Sequence, residues 1–85
     1  MAEETEIGHV THFFSKINVA AIELTGDLAV GDTIRIKGHT TDFEMKVESM
    51  QVEHQSVEKA DPGASVGIKC SARVREHDVV YKVLA

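Results

Sequence analysis

One cysteine, one proline, few basic residues and no long apolar run: each scarcity narrows what this 85-residue chain is able to do. No stretch approaches the roughly 20 apolar residues that a membrane helix needs, so the chain is not expected to span a bilayer. Cys70 has no second cysteine to pair with, which fits a reducing compartment. It follows Val66 and Ile68 at alternate positions, so it reads as a small buried side chain rather than a reactive thiol. The first residues carry Glu3, Glu4 and Glu6 without the basic and apolar regions of a secretory signal, and a cytoplasmic location is expected.

Basic side chains number 9 against 14 acidic ones, a net charge of −5. Neutralising phosphates takes a basic surface, so general nucleic-acid binding is disfavoured and DNA is not expected as a partner. The deficit is uneven. Residues 1–61 hold twelve acidic and five basic side chains, whereas residues 62–85 hold two and four. Lys69, Arg73, Arg75 and Lys82 could share one face, but a scatter of solvated surface charge is the favoured reading.

Catalytic patterns are missing too. There is no G-x-x-x-x-G-K-[ST] phosphate loop, G-x-S-x-G elbow, H-E-x-x-H or C-x-x-C. His9 and His12 are three apart, which on a strand points them to opposite faces. His39 and His77 fall in expected turns, and His54 has no nearby partner. No metal, cofactor or catalytic site is expected, and the chain reads as a non-enzyme.

What is present is a succession of short β-like runs with turn residues between them. "IGHVTHFF" and "INVAAIELT" are β-branched and aromatic, with a weak turn at Phe14–Ile17. In "TIRIKG", Ile34 and Ile36 alternate with Arg35 and Lys37, the pattern of a half-buried strand entered through Gly31-Asp32 and left through Gly38. Residues 42–60 are open between helix and strand. Phe43, Met45 and Val47 alternate, while Phe43, Val47, Met50, His54 and Val57 follow helical spacing. Asp61-Pro62-Gly63 is a strong turn signal. Beyond it Val66, Ile68, Cys70, Ala72 and Val74 alternate with small or charged residues, Arg75–Asp78 turns the chain, and "DVVYKVL" forms a closing strand. Some six strands without a strong helix predict a small all-β barrel or sandwich. Residues 1–6 are predicted to be a fraying acidic tail, and residues 7–85 a single domain.

Taken in order, "Gly8-His9-Val10", "AAIELTGDLAVGDTIRIKG", "VESMQVE", "PGASVGIK" and "DVVYKVL" resemble the second domain of translational GTPases of the elongation factor Tu type. The resemblance implies a six-stranded Greek-key β-barrel, a long strand over residues 42–54, and Gly26, Gly31, Asp32, Gly38, Gly63 and Gly67 as turn or close-approach residues. In that family the domain helps to hold the aminoacylated end of tRNA. Lys16-Ile17-Asn18 stands where the family has Gly-Arg-Gly, and Ser65 where it has a contacting asparagine. Similar barrels also occur as C-terminal appendages of bacterial collagenase-like peptidases, and a separate copy would act as an accessory subunit.

The expected function is thus a stand-alone binding module docking on a protein or ribonucleoprotein partner, the alternative being direct binding of a tRNA acceptor end or other structured RNA. Lys16, Asn18, His39 and Ser65 are the candidate binding residues, with Lys69, Arg73 and Arg75 as a secondary basic surface. Convergence of Lys16, Lys69, Arg73 and Arg75 on one face would favour RNA. Scatter, with an apolar patch instead, would favour a protein partner.

Overall fold

The computed structural model describes residues 3–53 and 55–84, and it is all-β. His54, considered above both as a metal ligand and in the helical spacing, lies outside the described residues. So do the first two positions of the acidic tail.

The strands are β1 (Glu4–Phe14), β2 (Val19–Leu24), β3 (Leu28–Ala29), β4 (Thr33–Lys37), β5 (Asp42–Lys46), β6 (Met50–Val52), β7 (Gln55–Val57), β8 (Lys59–Ala60), β9 (Ser65–Lys69) and β10 (Val79–Val83). Eight form one antiparallel sheet in the order β5-β4-β10-β1-β2-β9-β6-β7, and β3 pairs with β8. β1 is long enough to serve two neighbours. It pairs with β10 from Glu4 to His9 and with β2 from Gly8 to Phe14, and register shifts at Glu6/Gly8 and Val10/His12 bend it between them. Gly8 lies at the overlap, where a Cβ would collide with the Glu23 carbonyl oxygen.

Alternation decides which side chains go inward. Ala20, Ile22 and Leu24 of β2 pack with Val66 and Ile68 of β9, Ile34 and Ile36 of β4, and Val80 of β10; each is buried. Leu28 of β3 reaches the same cluster, as do Val47, Cys70 and Val74 from the connections. The described residues between 42 and 60 contain four short strands, β5 to β8, rather than a helix or one long strand. Phe43, Val47 and Met50 all contribute to the core because the chain breaks between β5 and β6 and drops the fully buried Val47 inward. Val47 is held by Gly31 N–H to its carbonyl and by its own N–H to Asp32 O, both at 2.8 Å.

Two boundaries differ from those predicted. β1 begins at Glu4, inside the acidic stretch expected to fray, because Glu4, Thr5 and Glu6 find partners in Val83, Lys82 and Tyr81. The strand at "SVGIK" ends at Lys69 rather than running on to Val74. Lys69 pairs with Val19, the first residue of β2, so the neighbouring strand has run out; Ala72 is exposed. Gly38 also plays a different part from Gly31. Gly31 takes a φ of 100°, whereas Gly38 serves as a close approach, its missing Cβ leaving room for the Asp78 carboxylate.

Candidate functional site

The turn joining β1 to β2 has the sequence Ser15-Lys16-Ile17-Asn18, and Asn18 adopts φ 55°, a left-handed conformation that asparagine tolerates. Its carbonyl accepts a hydrogen bond from Cys70 N–H at 2.7 Å, which fixes the hairpin against the end of β9. The two residues flanking Ser15-Lys16 are large and apolar. Phe14 is 46% exposed and Ile17 59% exposed, where a hairpin tip is ordinarily polar.

Both side chains border a shallow groove of about 300 Å³ on the outer face of the sheet. Its floor follows from register. Ala21 lies opposite Gly67, and Gly67 opposite Gln51, so the middle of the floor carries almost no side chain. Val19 completes the apolar side, and a Cβ on Gly67 would come within 3.3 Å of Val19 Cγ1. Ser65, Gln51 and Glu53 form the polar rim, and Glu53 is the one charged residue of the lining. Such a surface offers contact area and backbone-scale space; its one hydroxyl, Ser65, has no histidine or lysine beside it in the lining to activate it.

A second concavity, of about 590 Å³, lies between the β1–β2 hairpin and the chain after β9, lined by Phe13, Ser15, Arg73, Val74, Arg75 and Glu76. A third, of about 390 Å³, sets Lys69 and Cys70 beside Glu44, Lys46 and Glu48, so its charges are mixed. Burial is the main influence on the Cys70 thiol and pushes its pKa up, away from thiolate chemistry. Among the described residues no group of three or more His, Cys, Asp and Glu side chains is placed to hold a metal ion.

The candidate residues are thus divided. Ser65 faces the apolar groove, at the end of β9 opposite Glu23 and away from the hairpin tip that carries Ile17. Lys16 and Asn18 are exposed in the hairpin turn. Arg73 and Arg75 share a concavity with Ser15, the neighbour of Lys16, but Lys69 faces a different one. Lys82, the fourth candidate for a shared face, is engaged elsewhere with Asp32 at 3.5 Å and Asp27 at 3.8 Å. His39 sits exposed between β4 and β5, and joins none of these surfaces. The single basic face is not formed. Sequence reading passed over Phe14, Ile17, Val19 and Ala21; the available signal was the pair of large apolar residues around Ser15-Lys16.

Two solved structures share this fold. The C-terminal domain of a Geobacillus thermoleovorans protein assigned to the U32 peptidases, solved as its selenomethionine variant, matches with a TM-score of 0.85 at 16% identity. It covers 89% of this chain and 96% of that one. A further structure of that C-terminal domain gives 0.84 at 18% identity, with 89% of each chain covered.

By sequence the chain is similar to an uncharacterised protease of Methanocaldococcus jannaschii, 52% identical over 77 residues, covering 89% of this chain and 19% of the relative. It is also similar to a collagenase of Porphyromonas gingivalis, 38% identical over 82 residues, covering 94% of this chain and 23% of the relative. The chain therefore spans about a fifth of the length of the curated relatives it matches. No protein-family model matches it.

These relatives overturn the resemblance to the second domain of translational GTPases. The similar proteins are a protease and a collagenase, and the structural neighbours are the C-terminal domain of a U32-type peptidase. The translation-factor-like binding module, with its acceptor-end RNA alternative, falls with it. The turn glycines that suggested it are requirements of a small antiparallel β-fold, which chains of different ancestry meet alike.

Proposed function

We propose that this chain is a non-catalytic accessory domain of the kind that U32-type peptidases carry, and that its hairpin groove docks on polypeptide of the catalytic body. The observation that carries the proposal is the groove itself: exposed Phe14 and Ile17 beside a floor of Ala21 and Gly67. Apolar side chains held out at a hairpin tip have water to avoid and a neighbouring surface to cover. Its similarity to a segment of larger proteins, a protease and a collagenase, supports the accessory role. The buried Cys70 thiol and its raised pKa support the non-catalytic one, and a buried free thiol suits the cytoplasm.

The proposed architecture is a six-stranded Greek-key barrel. β5 pairs with β4 and β6 with β9, while only residues 47–49 separate β5 from β6. Taken as one bent strand, β5 and β6 join the two ends of the run β4-β10-β1-β2-β9 into a ring of six.

The test is calorimetric titration of the M. jannaschii relative, deleted for its matching segment, with this chain. Saturable heat is expected. Replacing Phe14 and Ile17 with Ser is expected to weaken it by about 30-fold or more, since losing two buried apolar anchors costs at least about 2 kcal/mol. Equal affinity for the double variant would sink the groove as the docking face. Absence of binding to a deletion protein with native circular dichroism would sink the accessory role.

A further inference from the structure

We infer that the concavity beside Arg73 and Arg75 is an anion site that takes a carboxylate-bearing polypeptide segment. It is separate from the apolar groove, and it stands on the arginines rather than on the docking reading above.

Val74, between the two arginines, is 2% exposed and anchored in the core, which leaves its neighbours to line the concavity together. The loop carrying them is fixed on both sides. Arg75 N–H donates to Asp78 Oδ2 at 2.9 Å and Asp78 N–H to Arg75 O at 3.2 Å. His77 N–H then donates to Val10 O, and Val10 N–H to Asp78 O, each at 2.8 Å. The Asp78 carboxylate is buried, lodged against Gly38. Two guanidinium groups are therefore presented from backbone that does not have to be ordered on binding.

Among the described residues Arg35 has three acidic partners and Lys82 two, whereas Arg73 and Arg75 have none. The one carboxylate in the lining, Glu76, is instead 3.5 Å from His12 Nδ1. In a chain of net charge −5, these two arginines, separated by one residue, face one space of about 590 Å³. Ser15 adds a hydroxyl donor, and Phe13 with Val74 gives the same concavity an apolar wall.

Arginine's planar fork matches an oxyanion in two parallel hydrogen bonds. The remaining surface selects which oxyanion-bearing molecule is admitted. A long phosphodiester is repelled by the acidic remainder of the chain, whereas a short peptide with one or a few carboxylates avoids it and uses the Phe13 wall. The carboxylate is supplied either by Asp and Glu side chains or by a free chain terminus.

The experiment is a ¹⁵N amide-shift titration of the whole chain with four probes: N-acetyl-triglutamate amide, N-acetyl-trialanine with its free carboxylate, N-acetyl-triglutamine amide and inorganic phosphate. Saturable shifts at Ser15, Arg73 and Arg75 are expected with triglutamate, with trialanine, or with both; which of the two binds identifies the source of the carboxylate. Added salt and the double substitution R73Q/R75Q are each expected to weaken binding by about tenfold or more, as loss of charge-assisted bonds requires. The double variant should keep its melting temperature and its Phe14/Ile17-dependent docking. Equal shifts with triglutamine, saturation by phosphate alone, or unchanged affinity in R73Q/R75Q would each overturn the assignment.

Discussion

Asp78 and Gly38 show how closely single residues are matched. The carboxylate fills the space that a side chain at 38 would need, and it also accepts the Arg75 N–H. Gly38→Ala must displace a buried, hydrogen-bonded group, and we expect it to destabilise the chain by about 1–3 kcal/mol, read as a lowered melting temperature. Gly31→Ala meets no atom within 4 Å but must hold φ near 100°, so its cost is backbone strain alone. At Cys70 the expectation is chemical. With the thiol buried and its pKa raised, an aromatic disulfide reagent at neutral pH should label the native chain far more slowly than the denatured one. Rapid labelling of native chain would show that the thiol is accessible.

The elements were legible where one face is buried and a partner strand is present. Ile34 and Ile36 alternate with Arg35 and Lys37 in the sequence, and β4 has that pattern of burial. Alternation misled after Lys69. Cys70 and Val74 are buried like strand residues, but β2 offers nothing further to pair with, and a single sequence does not reveal where a neighbour ends. Residues 42–60 were ambiguous because a kink between two strands brings Phe43, Val47 and Met50 to the core at spacings a helix also produces. The groove was hidden for a related reason: Ala21 and Gly67 become its floor only through the β2–β9 register. That register gives a prediction at this scale. Gly67→Val adds a β-branched side chain that strands accept, yet it fills the floor beside Val19. The variant should remain folded by circular dichroism and lose docking in the calorimetric titration; retained docking would show that partners do not reach the floor.

Across the whole molecule, charge ties distant segments together. Arg35 on β4 donates to Asp42 Oδ1 at 2.8 Å and Oδ2 at 3.0 Å on β5, and to Glu4 Oε2 at 3.2 Å at the start of β1. Hydrogen bonding to Arg35 is the main cause that holds the Asp42 carboxyl below its usual range, and the same bonds raise the Arg35 pKa. The sign follows directly. A carboxylate with a depressed native pKa contributes stability that is present above its unfolded value, about 3.9, and is lost as pH falls through the native value. Melting temperature should therefore decline on acidification below about pH 4, and Asp42→Asn should flatten that part of the profile. An unchanged slope in the variant would assign the acid sensitivity to other carboxylates.

The position of β10 in the sheet has a consequence in time. Val79–Val83 lies between β1 and β4, pairing with both, so the last strand of this unit occupies an interior place between two strands that precede it in the chain. Until residue 83 has cleared the ribosome's exit tunnel, β1 and β4 have no common neighbour and the hydrophobic cluster lacks Val80. Folding of this unit is then a closure that waits for its last strand rather than a gradual one along the emerging chain. During that interval the exposed edges of β1 and β4 are where a chaperone would find most to hold.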